Sequence, residues 1–259
     1  MNSRVHENFI YLESKKIAFG YVPKVACTNW KIVLRRLMGH EDFNRKDIAH
    51  NREKSGFHFL DRTVKEDFEV LSNEDVKKIA FVRDPYSRIL SAYLNKFDSI
   101  NRRIDSPKSK DYFDLVFDDV IRFERFDRPK GFRARIANYI YAPNTVNFLT
   151  FLEWIKAKRK GSFYANDEHW TPQCEILQHP TVKIDFLGRF ENMAHDAKIA
   201  LHQMGADFEF PTQADVGFSP TKADEKLKRF YAKEHVDLVN ELFSRDFDVY
   251  GYPRWDERG

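Results

Sequence analysis

Twice in this sequence a short apolar strand pattern leads through a loop into an amphipathic helix pattern, and this repeat limits the chain to few folds. Ile17 to Val22 is typical of a buried strand, and apolar residues from Trp30 to Met38 then recur at helical spacing. Ile79 to Arg83 is again strand-like, and apolar residues from Tyr86 to Phe97 repeat the helical spacing. Successive strand–loop–helix units predict an α/β fold with a central, mostly parallel sheet flanked by helices.

Local signals predict where these elements begin and end. Thr28 is expected to cap the first helix and Gly39 to end it. Asp84 can cap the second helix, with Pro85 in its first turn. The remaining predictions are a strand over Val182 to Phe190, mainly helical structure over residues 111–159, and C-terminal helical structure over residues 224–245.

The size and composition of the chain suit a globular enzyme. Its 259 residues can bury one sizeable core, and no repeat or Gly/Ser linker divides them, so we predict a single domain over residues 1–259. A formal net charge of +3 is too small to indicate a nucleic-acid partner. Residues 101–160 nevertheless carry 14 Lys or Arg against 8 Asp or Glu. This excess fits either an anion-binding surface or a solvated helical face.

Cysteine content and hydropathy bear on the compartment. No run approaches the roughly 20 apolar residues that cross a bilayer, so no transmembrane segment is expected. The two cysteines, Cys27 and Cys174, and the absence of an Asn-x-Ser/Thr site do not indicate an oxidising secretory compartment. We therefore expect a cytoplasmic protein. The alternative is a trimmed lumenal domain of a membrane-anchored Golgi enzyme.

The loop between the first strand and helix, residues 23–31, suits an anion site. At the carboxyl edge of a parallel sheet it would present the unpaired N–H groups and positive dipole end of the helix. Its side chains add the ammonium groups of Lys24 and Lys31, the hydroxyl of Thr28 and the amide of Asn29. The G-x-x-x-x-G-K-[ST] pattern of nucleoside-triphosphate loops is absent. Both an anion site and a purely structural turn fit the loop.

The second unit offers a comparable site. Arg83 ends the strand, and Ser91 lies one turn beyond Ser87 on one face of the helix. An Arg fork with a hydroxyl is a common way to hold a phosphate. The alternative is that Arg83 pairs with Asp84 or a nearby Glu. Two anion sites on adjacent strand ends would suit a ligand with two separated anionic groups.

Five segments, in order, resemble one enzyme family. The pair "YVPKVACTNWK" (21–31) and "FVRDPYSRILSAY" (81–93) closely resembles signatures of the Golgi-type carbohydrate sulfotransferases, the group that contains the chondroitin and dermatan sulfotransferases. Further blocks of that family are similar to "DEHWTPQ" (167–173), "IDFLGRFENM" (184–193) and "LFSRDFDVYGY" (242–252). The resemblance covers about residues 17–252 and is weakest over 98–160.

This resemblance implies a P-loop-like sulfotransferase fold and a reaction. A sulfuryl group would move from 3′-phosphoadenosine 5′-phosphosulfate to a hydroxyl, usually on a sugar, leaving adenosine 3′,5′-diphosphate. The family's 5′-phosphosulfate loop matches Pro23, Lys24, Val25, Ala26, Cys27, Thr28, Asn29 and Trp30, its 3′-phosphate motif matches Arg83 and Ser91, and a weaker match adds Lys222. Lys24 would stabilise the charge that builds on the leaving oxygen.

The resemblance also frames the remaining expectations for the site. The acceptor hydroxyl needs a general base, and the candidates are His58 in "GFHFL" and His169 in "DEHW", with a packing role equally open to each. The expected acceptor is a carbohydrate, and the basic mid-region favours an acidic polysaccharide. No carboxylate cluster or Cys/His ligand pattern is present in the sequence, so we expect no metal.

One departure from the family pattern affects the expected compartment. The family commonly carries a close cysteine pair just before the block matched by "IDFLG", whereas this chain has Gln178 and Thr181 near those places. The disulfide that the resemblance implies cannot form here. This favours a reducing compartment and a bacterial-like member of the family.

Two other classes of function fit parts of the sequence. A P-loop-like nucleotide kinase would use a similar strand–loop–helix site, but its glycine-rich loop and magnesium ligands are missing from the sequence. A non-catalytic module could bind an anionic glycan or RNA through the basic, aromatic residues 101–160.

Overall fold

A mixed sheet of five strands lies at the centre of the computed structural model, which describes residues 7–98, 112–128, 146–212, 215–217 and 221–257. The strands are β1 (Phe9–Leu12), β2 (Ile17–Gly20), β3 (His58–Leu60), β4 (Lys77–Val82) and β5 (Phe186–Arg189), in the spatial order β3-β1-β2-β4-β5. β4 pairs in parallel with β2 and β5, whereas β1 pairs antiparallel with β2 and β3. The predicted α/β fold is confirmed; the sheet itself is half parallel and half antiparallel.

The parallel half of the sheet fixes where the loops meet. Gly20 of β2 is opposite Ala80 of β4, and Ala80 is opposite Leu187 of β5. Parallel strands end at the same edge of a sheet, so the segments that follow β2, β4 and β5 are neighbours. The two strand–loop–helix units therefore lie side by side.

Helices flank this sheet. Within the described residues they are α1 (Cys27–Leu37), α2 (Lys46–Ala49), α3 (Lys65–Ser72), α4 (Pro85–Tyr93), α5 (Tyr112–Arg122), α6 (Phe148–Lys158), α7 (Gln173–Leu177), α8 (Met193–Gln203), α9 (Ala223–Phe230), α10 (Lys233–Leu242) and α11 (Ser244–Tyr250). A π-helical turn at Leu94–Asp98 continues α4. Residues 101–111 and 129–145 of the basic stretch lie outside the described residues.

The ends of two helices test the capping predictions. The Asp84 carboxylate accepts a hydrogen bond from the Ser87 N–H, and Pro85 is in the first turn, so this predicted start of α4 is confirmed. Gly39 follows the end of α1 with φ +80°. The N-cap of α1 is Ala26, however, and Thr28 lies inside the helix, so the prediction that Thr28 caps it is wrong.

The C-terminal helical pattern is divided into three helices. Tyr231 and Ala232 have extended backbones between α9 and α10. The Tyr231 hydroxyl donates to the Tyr86 carbonyl oxygen at 2.8 Å, and its ring stacks on Trp255 at 5.2 Å. Tertiary packing of one tyrosine thus interrupts a continuous helical periodicity.

An aromatic layer joins the sheet to the first helix. Trp30 of α1 packs 4.9 Å from Phe19 and 4.6 Å from Phe81, ring centre to ring centre. Phe186 of β5 extends the layer at 6.1 Å from Phe81. All but Phe186 are almost fully buried. Gly188 of β5 leaves the room that the Phe81 ring fills, since a Cβ built at Gly188 would overlap that ring.

We predict that Gly188→Ala lowers the free energy of unfolding by about 1–3 kcal/mol, because the closely packed Phe81 ring has no room to move aside. Urea denaturation measures the difference. Gly161→Ala is the matched control, since a Cβ there has no atom within 4 Å and should change stability by less than about 0.5 kcal/mol. Equal midpoints for Gly188→Ala and the unmodified chain would contradict this account of the packing.

Candidate active site

The loop after β2 delivers an uncapped helix end to the sheet edge. Lys24 and Ala26 have left-handed backbones, with φ +70° and +51°. Such conformations cost non-glycine residues on the order of 1–3 kcal/mol each, and they concentrate at functional sites. Ala26 is the N-cap of α1, and within the described residues no side-chain cap accepts from the first-turn amides. These amides and the positive end of the helix dipole favour an anion.

A buried arginine holds this loop in place. Arg88 of α4 is 1% exposed, and its Nε donates to the Pro23 carbonyl oxygen at 3.1 Å. Its Nη1 and Nη2 donate to the carbonyl oxygens of Thr171 and Glu168 at 2.8 and 2.9 Å. Arg88 thereby joins the loop, α4 and the segment before α7. Burial lowers the pKa of its guanidinium to about 10, so it stays charged at neutral pH.

Lys24 lies at the centre of the loop, and its surroundings disfavour the protonated form of its side chain. Its Nζ donates to the Asn95 Oδ1 at 3.0 Å. Burial lowers the pKa of Lys24 to about 8, and the positive charges of Lys96, Arg83 and Arg88 act in the same direction, opposed by Cys27. Lys24 is therefore still mostly protonated at pH 7, and an anionic ligand would favour its charged form.

The second strand end supplies a more deeply buried cation. Arg83 is 4% exposed; its Nη1 donates to the Lys24 carbonyl oxygen at 3.2 Å and its Nη2 to the Asp224 Oδ2 at 2.5 Å. The guanidinium carbon lies 4.1 Å from the ring centre of Phe190. Ser91, further along α4, shares a 3.1 Å hydroxyl contact with Thr221. Arg83 thus links the second predicted anion site directly to the first.

The backbone of Arg83 is also held by long-range contacts. Its N–H donates to the Gln173 Oε1 at 2.9 Å, and the Gln173 amide donates back to the Arg83 carbonyl oxygen at 2.8 Å. Gln173 and Cys174 donate their own N–H groups to the carboxylate of Asp246, which is fully buried. This network fixes the point at which the Arg83 side chain leaves β4.

Side chains from the loop and from both strand ends line one cavity of about 710 Å³. Its cationic lining residues are Lys24, Arg83, Lys96 and Lys222, and its acidic lining residues are Asp224 and Glu225. A second cavity of about 740 Å³ shares Ala26, Asn29 and Phe190 with the first, and its aromatic lining includes Phe208 and Phe210. The first, the charged cavity, and the second, the aromatic cavity, therefore adjoin at the N-terminus of α1.

Two histidines line the charged cavity. His169 is placed beside Asp167, with Nδ1 and Oδ1 2.7 Å apart. Burial lowers the pKa of His169 although the Asp167 carboxylate opposes the shift, so the ring is neutral at pH 7. His50 Nε2 lies 2.9 Å from the Thr28 hydroxyl, and burial lowers the pKa of His50 to about 4. Both imidazole rings are therefore neutral at pH 7 and able to accept a proton.

Within the described residues, no group of three or more His, Cys, Asp or Glu side chains is arranged to hold a metal ion. None of the helices in the described ranges combines the length and apolarity needed to cross a membrane.

Comparison with known proteins identifies the family. A sequence profile described as the sulfotransferase family matches residues 7–253. This chain belongs to the sulfotransferase family. Its relatives include human carbohydrate sulfotransferase 9, 27% identical over 94% of this chain and 53% of the relative. Carbohydrate sulfotransferase 14 from Danio rerio is 27% identical over 95% of this chain and 62% of the relative.

The similarity to these relatives covers nearly all of this chain but only part of each relative. Carbohydrate sulfotransferase 12 from Xenopus laevis is 25% identical over 98% of this chain and 62% of that protein. This chain thus spans between about half and two thirds of the length of these relatives. No solved structure matches the chain significantly.

Most of the residues predicted from sequence meet in the charged cavity of this family member. They are Lys24, Ala26, Cys27, Thr28, Asn29, Arg83, Ser91, His169 and Lys222. The side chains of Pro23, Val25 and Trp30 are buried and do not line the cavity. His58 is outside it on the edge strand β3, half exposed, with its Nε2 3.7 Å from Asp67. The geometry therefore gives no support to His58 as the base.

The cavity also contains residues that sequence reasoning missed. His50, Asn95, Lys96, Phe190, Thr221 and Asp224 line it as well. Asn95 is four residues after Ser91, so helical spacing could have indicated it. His50 and Asp224 reach the cavity from separate segments, and no local pattern in the sequence marks them.

We predict that Arg88→Met lowers the free energy of unfolding by about 3 kcal/mol or more, because three buried carbonyl oxygens lose their donor and each costs roughly 1–3 kcal/mol. Chemical denaturation measures this loss. The control is Lys156→Met, which removes an exposed cation paired with Glu241 and should cost no more than about 1 kcal/mol. A similar small loss in both variants would show that Arg88 does not hold the loop.

Proposed function

We propose that this chain transfers a sulfuryl group from 3′-phosphoadenosine 5′-phosphosulfate to a hydroxyl of a carbohydrate acceptor. The observation that carries the proposal is the junction of two cationic sites, since the Arg83 guanidinium donates to the backbone of Lys24 within one cavity. A donor with anions at its 3′ and 5′ positions needs such a pair. The names of the sulfotransferase relatives support the same chemistry.

The cavity lining suggests how the donor would lie. The 5′-phosphosulfate would bind the amides of α1 with Lys24, Thr28 and Asn29, and the 3′-phosphate would bind Arg83 and Ser91, with Lys222 at the same wall. The adjoining aromatic cavity, lined by Phe190 and Phe210, suits the adenine ring. These assignments extend the family resemblance to named side chains.

The proposed reaction is an in-line displacement at sulfur. The acceptor oxygen forms a bond to sulfur while the bond between sulfur and the bridging oxygen of the donor breaks. Negative charge builds on that oxygen, which leaves on adenosine 3′,5′-diphosphate. The Lys24 ammonium and the amides at the N-terminus of α1 would stabilise this charge more in the transition state than in the ground state. Positioning and electrostatics would supply most of the rate, as in phosphoryl transfer.

His169 is the base that this geometry supports best. Donation of its Nδ1–H to Asp167 leaves Nε2 as a proton acceptor, and the lowered pKa keeps the ring neutral at pH 7. An imidazole oriented by a carboxylate is a common arrangement for accepting a hydroxyl proton. His50 would then orient the Thr28 hydroxyl, which its Nε2 contacts.

The acceptor class and the compartment form the finer part of the proposal. Lys96 lines the same cavity as His169, and its ammonium favours an acidic sugar chain as acceptor. The thiols of Cys27 and Cys174 are both free, which is compatible with the cytoplasmic location expected from the sequence.

The binding-module alternative gains little from the described part of the basic stretch. Arg128 pairs with Glu124 and Glu153, and Lys158 pairs with Asp127. Cations that are already paired within the chain are less available to a polyanion, so this part of the stretch fits a solvated helical face better than a polymer-binding surface.

The decisive first experiment is calorimetric titration with adenosine 3′,5′-diphosphate beside adenosine 5′-monophosphate. We expect tight binding of the diphosphate and much weaker binding of the monophosphate, because the latter leaves Arg83 and Ser91 without a phosphate. Failure of a folded sample to bind either nucleotide would remove the donor site and favour a non-catalytic module.

We predict that Lys24→Ala lowers turnover of sulfur-labelled donor by about 10²- to 10³-fold, the range for losing one preorganised donor to a developing charge. The acceptor for the assay comes from a screen with the same labelled donor. Lys65→Ala, which removes an exposed cation on α3, is the control and should keep normal turnover. Near-normal turnover in Lys24→Ala would exclude the role given to its ammonium.

We predict that His169→Ala lowers turnover by about 10²- to 10⁴-fold while affinity for adenosine 3′,5′-diphosphate changes by no more than about twofold, because only the proton acceptor is lost. His195→Ala, at a largely exposed ring on α8, is the control. If His50→Ala instead shows this combination and His169→Ala does not, the assignment of the base to His169 is incorrect.

A further inference from the structure

The anion site at the end of β4 already contains an anion supplied by the chain. The guanidinium of Arg83 is nearly fully buried, and its Nη2 donates to the Asp224 carboxylate at 2.5 Å. Its Nη1 is engaged by the Lys24 carbonyl oxygen, whereas its buried Nε has no hydrogen-bond partner among the described residues. A ligand could therefore replace the present partner of Nη2, the Asp224 carboxylate.

The segment that contains Asp224, residues 221–224, also contacts Ser91, the hydroxyl side chain of the proposed 3′-phosphate site. Ser91 Oγ lies 3.1 Å from the Thr221 hydroxyl, three residues before Asp224. Arg83 and Ser91 are the two groups proposed to hold the 3′-phosphate, and residues 221–224 contact both. This second contact is independent of the ion pair. A carboxylate and a hydroxyl from one segment thus satisfy the groups that would otherwise face a phosphate.

The partners of this ion pair differ greatly in exposure. The side chain of Arg83 is 5% exposed, whereas that of Asp224 is 51% exposed. Arg83 cannot turn to water, but Asp224 can do so at little cost in solvation. A phosphate oxygen is also a strong acceptor for an arginine N–H, and two anions on one N–H group repel each other.

We propose that Asp224 is an internal competitor that occupies the place of the 3′-phosphate until a nucleotide displaces it from Arg83. A ligand with a 3′-phosphate replaces the Asp224 carboxylate and takes its hydrogen bond. A ligand without that phosphate leaves the ion pair intact and gains nothing from Arg83. The internal carboxylate therefore lowers affinity for every ligand that must displace it from Arg83, and leaves affinity for ligands without a 3′-phosphate unchanged. This inference rests on the proposed function.

The test is calorimetric titration of Asp224→Asn, which keeps the shape of the side chain and removes its charge. We expect adenosine 3′,5′-diphosphate to bind about 2- to 5-fold more tightly, the range for removing one partly exposed ion pair as a competitor. Affinity for adenosine 5′-monophosphate should change by less than about twofold, because this ligand does not displace Asp224. Melting temperatures verify folding, and Asp224→Ser provides a second variant if the amide destabilises the chain.

Asp237→Asn is the matched control for net charge. Asp237 of α10 is 58% exposed, its carboxylate pairs with Lys233, and neither residue lines the cavity. An equal gain for both variants, or for both nucleotides, would mean a general charge effect and overturn the inference. Unchanged or weaker diphosphate binding by Asp224→Asn would also overturn it, since Asp224 would then help Arg83 to bind. If the unmodified chain does not distinguish the two nucleotides, the proposed donor site itself fails, and the inference fails with it.

Discussion

The parallel pairing of β2 with β4 is the constraint on which the rest of the site depends. The register that sets Gly20 opposite Ala80 brings two chain segments, about 60 residues apart, to one edge of the sheet. Arg88 then ties the loop after β2 to α4 through the Pro23 carbonyl oxygen, and Arg83 ties it to β4 through the Lys24 carbonyl oxygen. A shift of this register would separate both arginines from the loop they hold.

Burial of these cations has an energetic consequence that links folding to binding. Arg88 offsets its lost hydration with three carbonyl oxygens, but in the described part of the chain Lys24 Nζ has one acceptor, the Asn95 amide oxygen. Burial accordingly lowers the pKa of Lys24 to about 8. Because the unfolded pKa is higher, this penalty is fully present below pH 8 and diminishes as the pH rises from about 8 to the unfolded value near 10.4. An anion bound beside Lys24 would offset the same penalty. Anion binding and the free energy of folding are therefore coupled through the Lys24 ammonium.

Sequence reasoning succeeded where local pattern and tertiary structure agree. The period of apolar residues identified α1 and α4, and the Asp84 cap followed from side-chain chemistry within four residues. It failed where distant contacts decide. Thr28 does not cap α1, because the chain turns through left-handed Ala26 and the Thr28 hydroxyl meets His50. The contact of Arg83 with Asp224 spans 141 positions, and no spacing rule predicts such a pair.

Phe190 explains why one cavity can be strongly charged while its neighbour is aromatic. The ring lies 4.1 Å from the Arg83 guanidinium carbon and also lines both cavities. Its face favours the cation, and its bulk keeps water from one side of it. Charges act more strongly where water is excluded, so a phosphate that reaches Arg83 meets a cation screened less than one on the surface. A nucleobase packed against the same ring would extend that exclusion, and the two halves of a nucleotide would then bind more tightly together than either half alone.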